Sequence, residues 1–408
     1  MGKKLKQTAA AVIAGIAVWA AGSGQGFAEE NDTVTMGVHS EKESALAERE
    51  WPERVARFTF DSGYTFEYPD AVRGIFVTAH SAGGARMDTL VDMMDNTDLN
   101  AMVIDVKDDD GWLTFKPEEE SPYSDIAQNF ISNPTAMMER LEEHEIYPIA
   151  RIVVFKDTVL AEKRPEWSFT NDDGSVWKNR RGEAFVNPFL KEVWDYNVDI
   201  AIKAAEMGFQ EIQFDYVRYP EGFERRDEDL NYDVGDYKDS EGDNVQRRVD
   251  AVTDFVAYAN ERLQAYDVDV SVDIFGYTAT LPEAPGIGQN FTRISENVDV
   301  ISSMIYPSHW TAHFGLDKPD LYPYELVTEY IKLENEKLAE LDEPPVSRPW
   351  LQDFTASYLG SGNFIPYGAE EVEAQIRALH ENGVDEYLLW NAGNRYTEGV
   401  NFLAGKED

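Results

Sequence analysis

The sequence predicts an α/β protein, a (β/α)8 barrel with long βα loops after strands three and four and a short N-terminal extension. Three observations predict it. From Pro69 onward, eight short β-branched runs alternate with stretches of helical periodicity. The segment after the first run reads His80-Ser81-Ala82-Gly83-Gly84 and lacks the phosphate-loop spacing of a doubly wound open sheet, the competing arrangement. The chain has 408 residues, long for an ordinary domain but normal for a barrel with extended loops.

The elements follow in order. Lys3, Lys4 and Lys6 precede an apolar run from Ala9 to Ala21, and Gly26-Phe27-Ala28 supplies small residues for cleavage, so residues 1–28 read as a secretory signal peptide. The run is short for a bilayer span, which disfavours an uncleaved anchor. No cysteine stands at its end to take a lipid. Residues 29–69 form the extension: an acidic linker to about residue 50, then alternation around Asp61-Ser62-Gly63 that predicts a small hairpin over residues 57–68. Residues 70–408 hold the barrel. Its strands are expected at Arg73 to Thr78, Ala101 to Lys107, Tyr147 to Phe155, Glu211 to Val217, Asp269 to Phe275, Val298 to Tyr306, Pro349 to Phe354 and Glu386 to Asn391. The charge-rich segment Glu221 to Asp243 reads as a solvated loop. Its carboxylates could hold a structural calcium, though Asp239-Ser240-Glu241-Gly242-Asp243 does not match a twelve-residue calcium loop.

Composition narrows the function. Zero cysteines exclude disulfides, thiolate metal sites and a cysteine nucleophile, and suit an extracytoplasmic destination. The formal charge is −41, and the signal segment removes three lysines and no acid. Such a surface repels nucleic acid and anionic membrane. The acids are spread along the chain, as expected for solvation in a saline or alkaline medium; a track for a cationic substrate is the alternative.

In this architecture chemistry sits at the C-terminal ends of the strands. In the fourth run, alternation puts Gln213 and Asp215 on the barrel face and Ile212, Phe214 and Tyr216 toward the helices. A buried aspartate near the mouth is costly unless paired or used, and Arg218 is expected to keep it ionised. The fifth run repeats the pattern with Ser271 and Asp273. Two carboxyls on adjacent strands are the minimum equipment of most glycosidases. Asp215 is the expected nucleophile and Asp273 the expected general acid/base, with retention of configuration. Asp105 and Lys107 are expected to face inward together, Arg151 likewise, and Gln352 or Asp353 to reach the barrel from strand seven. Tyr216, Tyr306, Trp310 and Trp390 stand with other aromatics at strand ends, where flat faces suit sugar rings. These residues and Arg218 form the expected carbohydrate-binding set. His80, His309 and His313 do not assemble a zinc site, no Gly-x-Ser-x-Gly elbow occurs, and no metal or cofactor is expected in catalysis.

Several blocks in order carry a family resemblance: Val72-Arg73-Gly74-Ile75-Phe76-Val77-Thr78, Leu99 to Asp108, Val186-Asn187-Pro188-Phe189, Ile212 to Pro220 and Pro349-Trp350-Leu351-Gln352-Asp353-Phe354. Over residues 70–404 the chain resembles a bacterial family of (β/α)8 glycoside hydrolases, within the α-amylase and α-galactosidase type of barrel. The resemblance implies the nucleophile position at Asp215. It departs from the α-amylase pattern at Gln213, where that pattern has arginine, and at Asp273, where it has glutamate. The expected activity is that of a secreted glycosidase acting on a polysaccharide or oligosaccharide. A non-catalytic carbohydrate-binding barrel and a polysaccharide deacetylase are the alternatives.

Overall fold

The structure, a computed structural model, describes residues 60–117, 121–239 and 242–406. The predicted signal peptide, the acidic linker and two of the five residues at the candidate calcium segment lie outside them. Eight parallel strands follow the expected runs: β1 (Arg73–Val77), β2 (Ala101–Lys107), β3 (Tyr147–Val153), β4 (Glu211–Asp215), β5 (Asp269–Phe275), β6 (Val300–Met304), β7 in two pieces (Val346–Ser347 and Trp350–Gln352) and β8 (Tyr387–Trp390). Pairing runs around a closed circle, with β8 against β1 and β5 against β6. β7 is broken because Pro349 has no N–H to give the ladder.

Helices α1 (Ala79–Ala82) and α2 (Arg86–Asp95) follow β1, and α3 (Pro134–Glu143) follows β2. α4 (Thr158–Lys163) and α5 (Lys191–Glu206) follow β3, α6 (Asn244–Leu263) follows β4, and α7 (Phe291–Ser295) follows β5. α8 (Pro323–Leu338) and α9 (Ala369–His380) follow β6 and β7. Among the described residues no helix follows β8; turns carrying Tyr396 and Phe402 pack there instead. This is a (β/α)8 TIM barrel.

Apolar residues on the outward faces meet the helices in one large core, while a second, smaller core fills the barrel itself with Phe76, Val103, Ile149, Tyr306, Trp350 and Leu388. Small residues make room for these rings. Gly74 is required by its neighbours: a Cβ there would stand 2.7 Å from Cδ2 of Leu388.

The bottom of the barrel is closed by charge. Arg348, fully buried in the break of β7, donates two hydrogen bonds to Glu211 at 2.8 and 2.6 Å and one to Glu386 at 2.8 Å. It also donates to the Tyr68 hydroxyl at 2.8 Å, which in turn donates to Glu386. The extension is thereby tied beneath the strands. The hairpin expected over residues 57–68 does not form in its described part: residues 60–72 contain no strand. Their alternating aromatics serve docking instead, with Tyr68 against Tyr147 at 5.3 Å and Tyr64 beside Gly208.

Candidate active site

Two long loops build the mouth. The β3–α5 connection folds back on itself through pairings of Lys156 with Phe185 and Ser168 with Val186. The β4–α6 connection is joined to it at Thr170 and Asn231. Aromatic packing of Phe169 on Tyr219, Phe223 and Tyr232 locks the two together. Between them and the strand ends opens a cavity of about 860 Å³. Its floor holds Arg151, Asp215, Asp273, Met304, Tyr306 and Trp390. Its walls come from Trp177 to Phe185 on one loop and from Tyr216 to Arg226 on the other, with Asp109, Phe275 and His309 at the remaining strand ends.

Asp215 is the last residue of β4. Its Oδ2 accepts hydrogen bonds from Nε and Nη2 of Arg151 at 3.0 and 2.6 Å, and its Oδ1 accepts the Tyr216 N–H at 2.6 Å. Three donors, two from a guanidinium and one from the backbone, fix the orientation of this carboxyl. Tyr216 has φ +53°, an uncommon backbone state for a residue with a side chain. That turn ends the strand and swings the Tyr216 ring into the cavity, against the parity that alternation predicts.

Asp273 occupies the matching level of β5, because Phe214 pairs with Val272 one residue earlier. It is 2% exposed and accepts the Trp350 indole N–H at 2.7 Å. Burial, and then the neighbouring Asp215, push its carboxyl well above the usual range, against the pull of the Trp350 donor and of Arg151. The two carboxyls therefore stand in opposite environments. One is clamped by a guanidinium; the other is dry and favours holding its proton.

Arg151 organises the floor. Besides Asp215 it reaches Asp105 at 2.6 Å and Asp109 at 3.3 Å. Burial outweighs that contact at Asp105 and pushes it up to about 7. At Asp109 the balance is reversed: despite burial, Arg151 and Lys156 hold the carboxyl well below the usual range. The Lys156 ammonium lies 2.8 Å from Asp109 and 4.2 Å from the centre of the Tyr216 ring. The guanidinium of Arg151 also stands over Phe76 and Trp390, which stack at 4.1 Å.

Of the residues expected from the sequence, Asp215, Asp273, Arg151, Arg218, Tyr216, Tyr306 and Trp390 line this one cavity. The others do not. Asp105 lies beneath Arg151 as its counter-charge. Lys107 is turned outward by a bulge between Asp105 and Lys107, and is buried against Asp157 at 2.6 Å and Asn197 at 2.9 Å. Parity counting fails across a bulge, so Asp105 and Lys107 do not face inward together as expected. Gln352 accepts the Ser308 N–H and donates to Asp320, tying the β6–α8 loop to the end of β7. Asp353 accepts from the N–H and hydroxyl of Thr397. Trp310 packs on Tyr330 and Phe314. Arg218 does not touch Asp215; Arg151 is the arginine that contacts it. Sequence reasoning did not single out Asp109, Lys156 or Glu183, which lie in loops where alternation says nothing about direction.

A closed parallel barrel with two carboxyls in contrasting environments at its C-terminal mouth has the architecture of the (β/α)8 glycoside hydrolases. The chain belongs to the family defined by the "putative glycosyl hydrolase domain", which matches residues 74–396. Among solved structures it is similar to the PgaB (BpsB) glycoside hydrolase domain from Bordetella bronchiseptica, with 15% identity, a TM-score of 0.55, and coverage of 79% of this chain and 94% of that one. A hypothetical protein from Ruminiclostridium thermocellum is 30% identical over 49% of this chain and 96% of its own, with a TM-score of 0.42. An α-amylase from Lactobacillus plantarum is 14% identical, covering 79% of this chain and 71% of its own at a TM-score of 0.49. No curated protein matches the sequence.

Proposed function

We propose that the protein is an extracytoplasmic glycoside hydrolase that cleaves O-glycosidic bonds of an oligosaccharide or polysaccharide with retention of configuration. Asp215 is the nucleophile and Asp273 the general acid/base. The observation that carries this reading is the contrast between the Arg151-clamped Asp215 and the buried, proton-holding Asp273 on the neighbouring strand. Export rests on the N-terminal signal pattern alone.

In the first step an oxygen of Asp215 attacks the anomeric carbon while Asp273 gives its proton to the departing glycosidic oxygen. In the second, Asp273, now a carboxylate, takes a proton from water as that water displaces Asp215 and regenerates both groups. Neighbouring strands lie about 4.8 Å apart, which suits the carboxyl separation of about 5–5.5 Å used in retention. Trp390 and Tyr306 supply flat surfaces beside the reacting pair.

Screening the purified protein against diverse glycans, with the first-formed anomer read by proton NMR, tests this. The reading expects turnover with retention, and azide should restore Asp273→Ala by yielding a glycosyl azide of retained configuration. An inverted product would remove Asp215 as nucleophile. Binding with no turnover would make the protein a carbohydrate-binding barrel, and metal-dependent release of acetate a deacetylase.

A pH prediction follows from Asp273. The active acid is the protonated form, so kcat should fall as pH rises through its elevated pKa, and Asp273→Asn should have no such limb in its residual rate. The stability sign is opposite to that of a paired carboxylate. Between the ordinary aspartate pKa and the raised one, the native state binds the extra proton, so rising pH costs stability. Asp273→Asn, which can still accept the Trp350 N–H, should melt higher than wild type at neutral pH and lose that advantage near pH 4. Equal melting differences at both pH values would remove the raised carboxyl.

A further inference from the structure

The cleft walls carry a charge pattern opposite to the rest of the molecule. On a chain of formal charge −41, six arginines line this one cavity. Arg151 is committed to carboxylates of the floor. The others come from the two long loops: Arg180 and Arg181 from one, Arg218, Arg225 and Arg226 from the other. Of the three acids that share the walls, Asp109 and Glu183 are occupied, and Glu221 is the exposed exception. Asp109 is held by Arg151 and Lys156, and Glu183 lies 3.5 Å from Lys156 and accepts from the Asn179 amide at 2.6 Å. Arg180, Arg181 and Arg226 have no carboxylate within ion-pair distance among the described residues. The Arg226 guanidinium stands 5.9 Å from the Trp177 ring centre, at the rim.

Arg218 makes the pattern more than a rim of surface charge. It is 6% exposed, yet its side chain lines the cavity. Its guanidinium sits between the rings of Phe275 at 4.6 Å and Tyr216 at 4.7 Å. Nη1 donates to the Tyr219 carbonyl at 3.1 Å. The carboxylate within reach, Glu221, is 3.7 Å away, beyond a good hydrogen bond, and its side chain is 73% exposed. A buried guanidinium normally has a close, fixed counter-charge. Here aromatic faces hold it in place, and most of its five N–H donors remain for a ligand.

We propose that the substrate is an anionic glycan whose carboxylate or sulfate groups are bound by Arg218 beside the reacting sugar and by Arg180, Arg181 and Arg226 along the loops. This rests on the glycosidase reading and adds the substrate class to it. A planar fork on an aromatic platform suits bidentate binding of a carboxylate or sulfate next to a sugar ring. The acidic remainder of the surface repels the same polymer, so productive encounters concentrate at the mouth.

The test uses the purified protein with polygalacturonate and its carboxyl-reduced form, chondroitin sulfate and its desulfated form, amylose and chitosan. Cleavage or binding of the uronate or of the sulfated polymer, with loss on carboxyl reduction or desulfation, is the expected result and identifies which anion is read. Arg218→Lys, which keeps the charge but not the fork, should lower kcat/KM on that polymer by about tenfold or more, chiefly through KM. The exposed pair Arg180→Gln/Arg181→Gln should also raise KM and weaken its dependence on salt. Preferred cleavage of amylose or chitosan, unaffected by Arg180→Gln/Arg181→Gln, would overturn the substrate class while leaving the glycosidase reading intact. Binding of the acidic polymer without cleavage, lost in Arg180→Gln/Arg181→Gln, would uphold the anion site and defeat the hydrolase. Neither binding nor cleavage of any acidic polymer would overturn the proposal.

Discussion

Asp215→Asn is expected to lower kcat on the cognate glycan by on the order of 10⁴-fold or more, the scale typical of removing a covalent nucleophile. The amide keeps the size of the carboxylate and can still accept the Tyr216 N–H through its oxygen. It cannot attack the anomeric carbon, and it leaves Arg151 with one counter-charge fewer. The fold should tolerate this, because Arg151 remains paired with Asp105 and Asp109. Circular dichroism and a melting curve on the same preparation therefore separate lost chemistry from lost structure. The change should also propagate to Asp273. Asp215 is the largest neighbouring charge that raises it, so the pH dependence of melting attributable to Asp273 should shrink in Asp215→Asn. Retention of a tenth of wild-type kcat would rule Asp215 out as nucleophile, and the search would move to the other carboxyls of the floor.

Why Asp215 could be found in the sequence, and Asp109 could not, is a matter of period. Within a strand the side-chain direction is fixed by a period of two, and a polar residue on an otherwise apolar inward face is conspicuous. That reasoning succeeded for Asp215, Asp273 and Arg151, and the eight strand runs were legible for the same reason. It failed where the backbone departs from the pleat. The bulge after Asp105 reversed Lys107, the positive φ at Tyr216 reversed its ring, and strand seven ends at Gln352, whose amide is captured by Ser308 and Asp320 instead of the cavity. Asp109, Lys156 and Glu183 lie beyond the strands, where direction depends on how long loops fold back. The hairpin expected before the barrel shows the converse error. Its alternating aromatics are real, but they pack on the bottom of the barrel, and alternation alone does not say whether a segment pairs or docks.

The bottom face of the barrel should govern stability. Arg348→Met is expected to cost about 3–5 kcal/mol, the range for removing one partner of a buried ion network. Arg348 and Glu211 are each fully buried, and Nη1 of the arginine donates to both carboxylate oxygens. Without the guanidinium, Glu211 is left without its partner in a site closed to water, and Glu386 and Tyr68 lose the donor that joins them. The cost therefore lies mainly in what is left behind, and a second substitution should recover part of it. Arg348→Met/Glu211→Gln removes the stranded charge and should be more stable than Arg348→Met alone, measured by the midpoint of guanidinium unfolding at equal slope. Tyr68→Phe should cost much less, since it deletes one hydroxyl and leaves both salt bridges. If Arg348→Met unfolds within about 1 kcal/mol of wild type, the network is neutral. The double variant then also decides the mechanism: stability no better than that of Arg348→Met would mean that lost packing of the arginine stem, and not an uncompensated carboxylate, sets the cost.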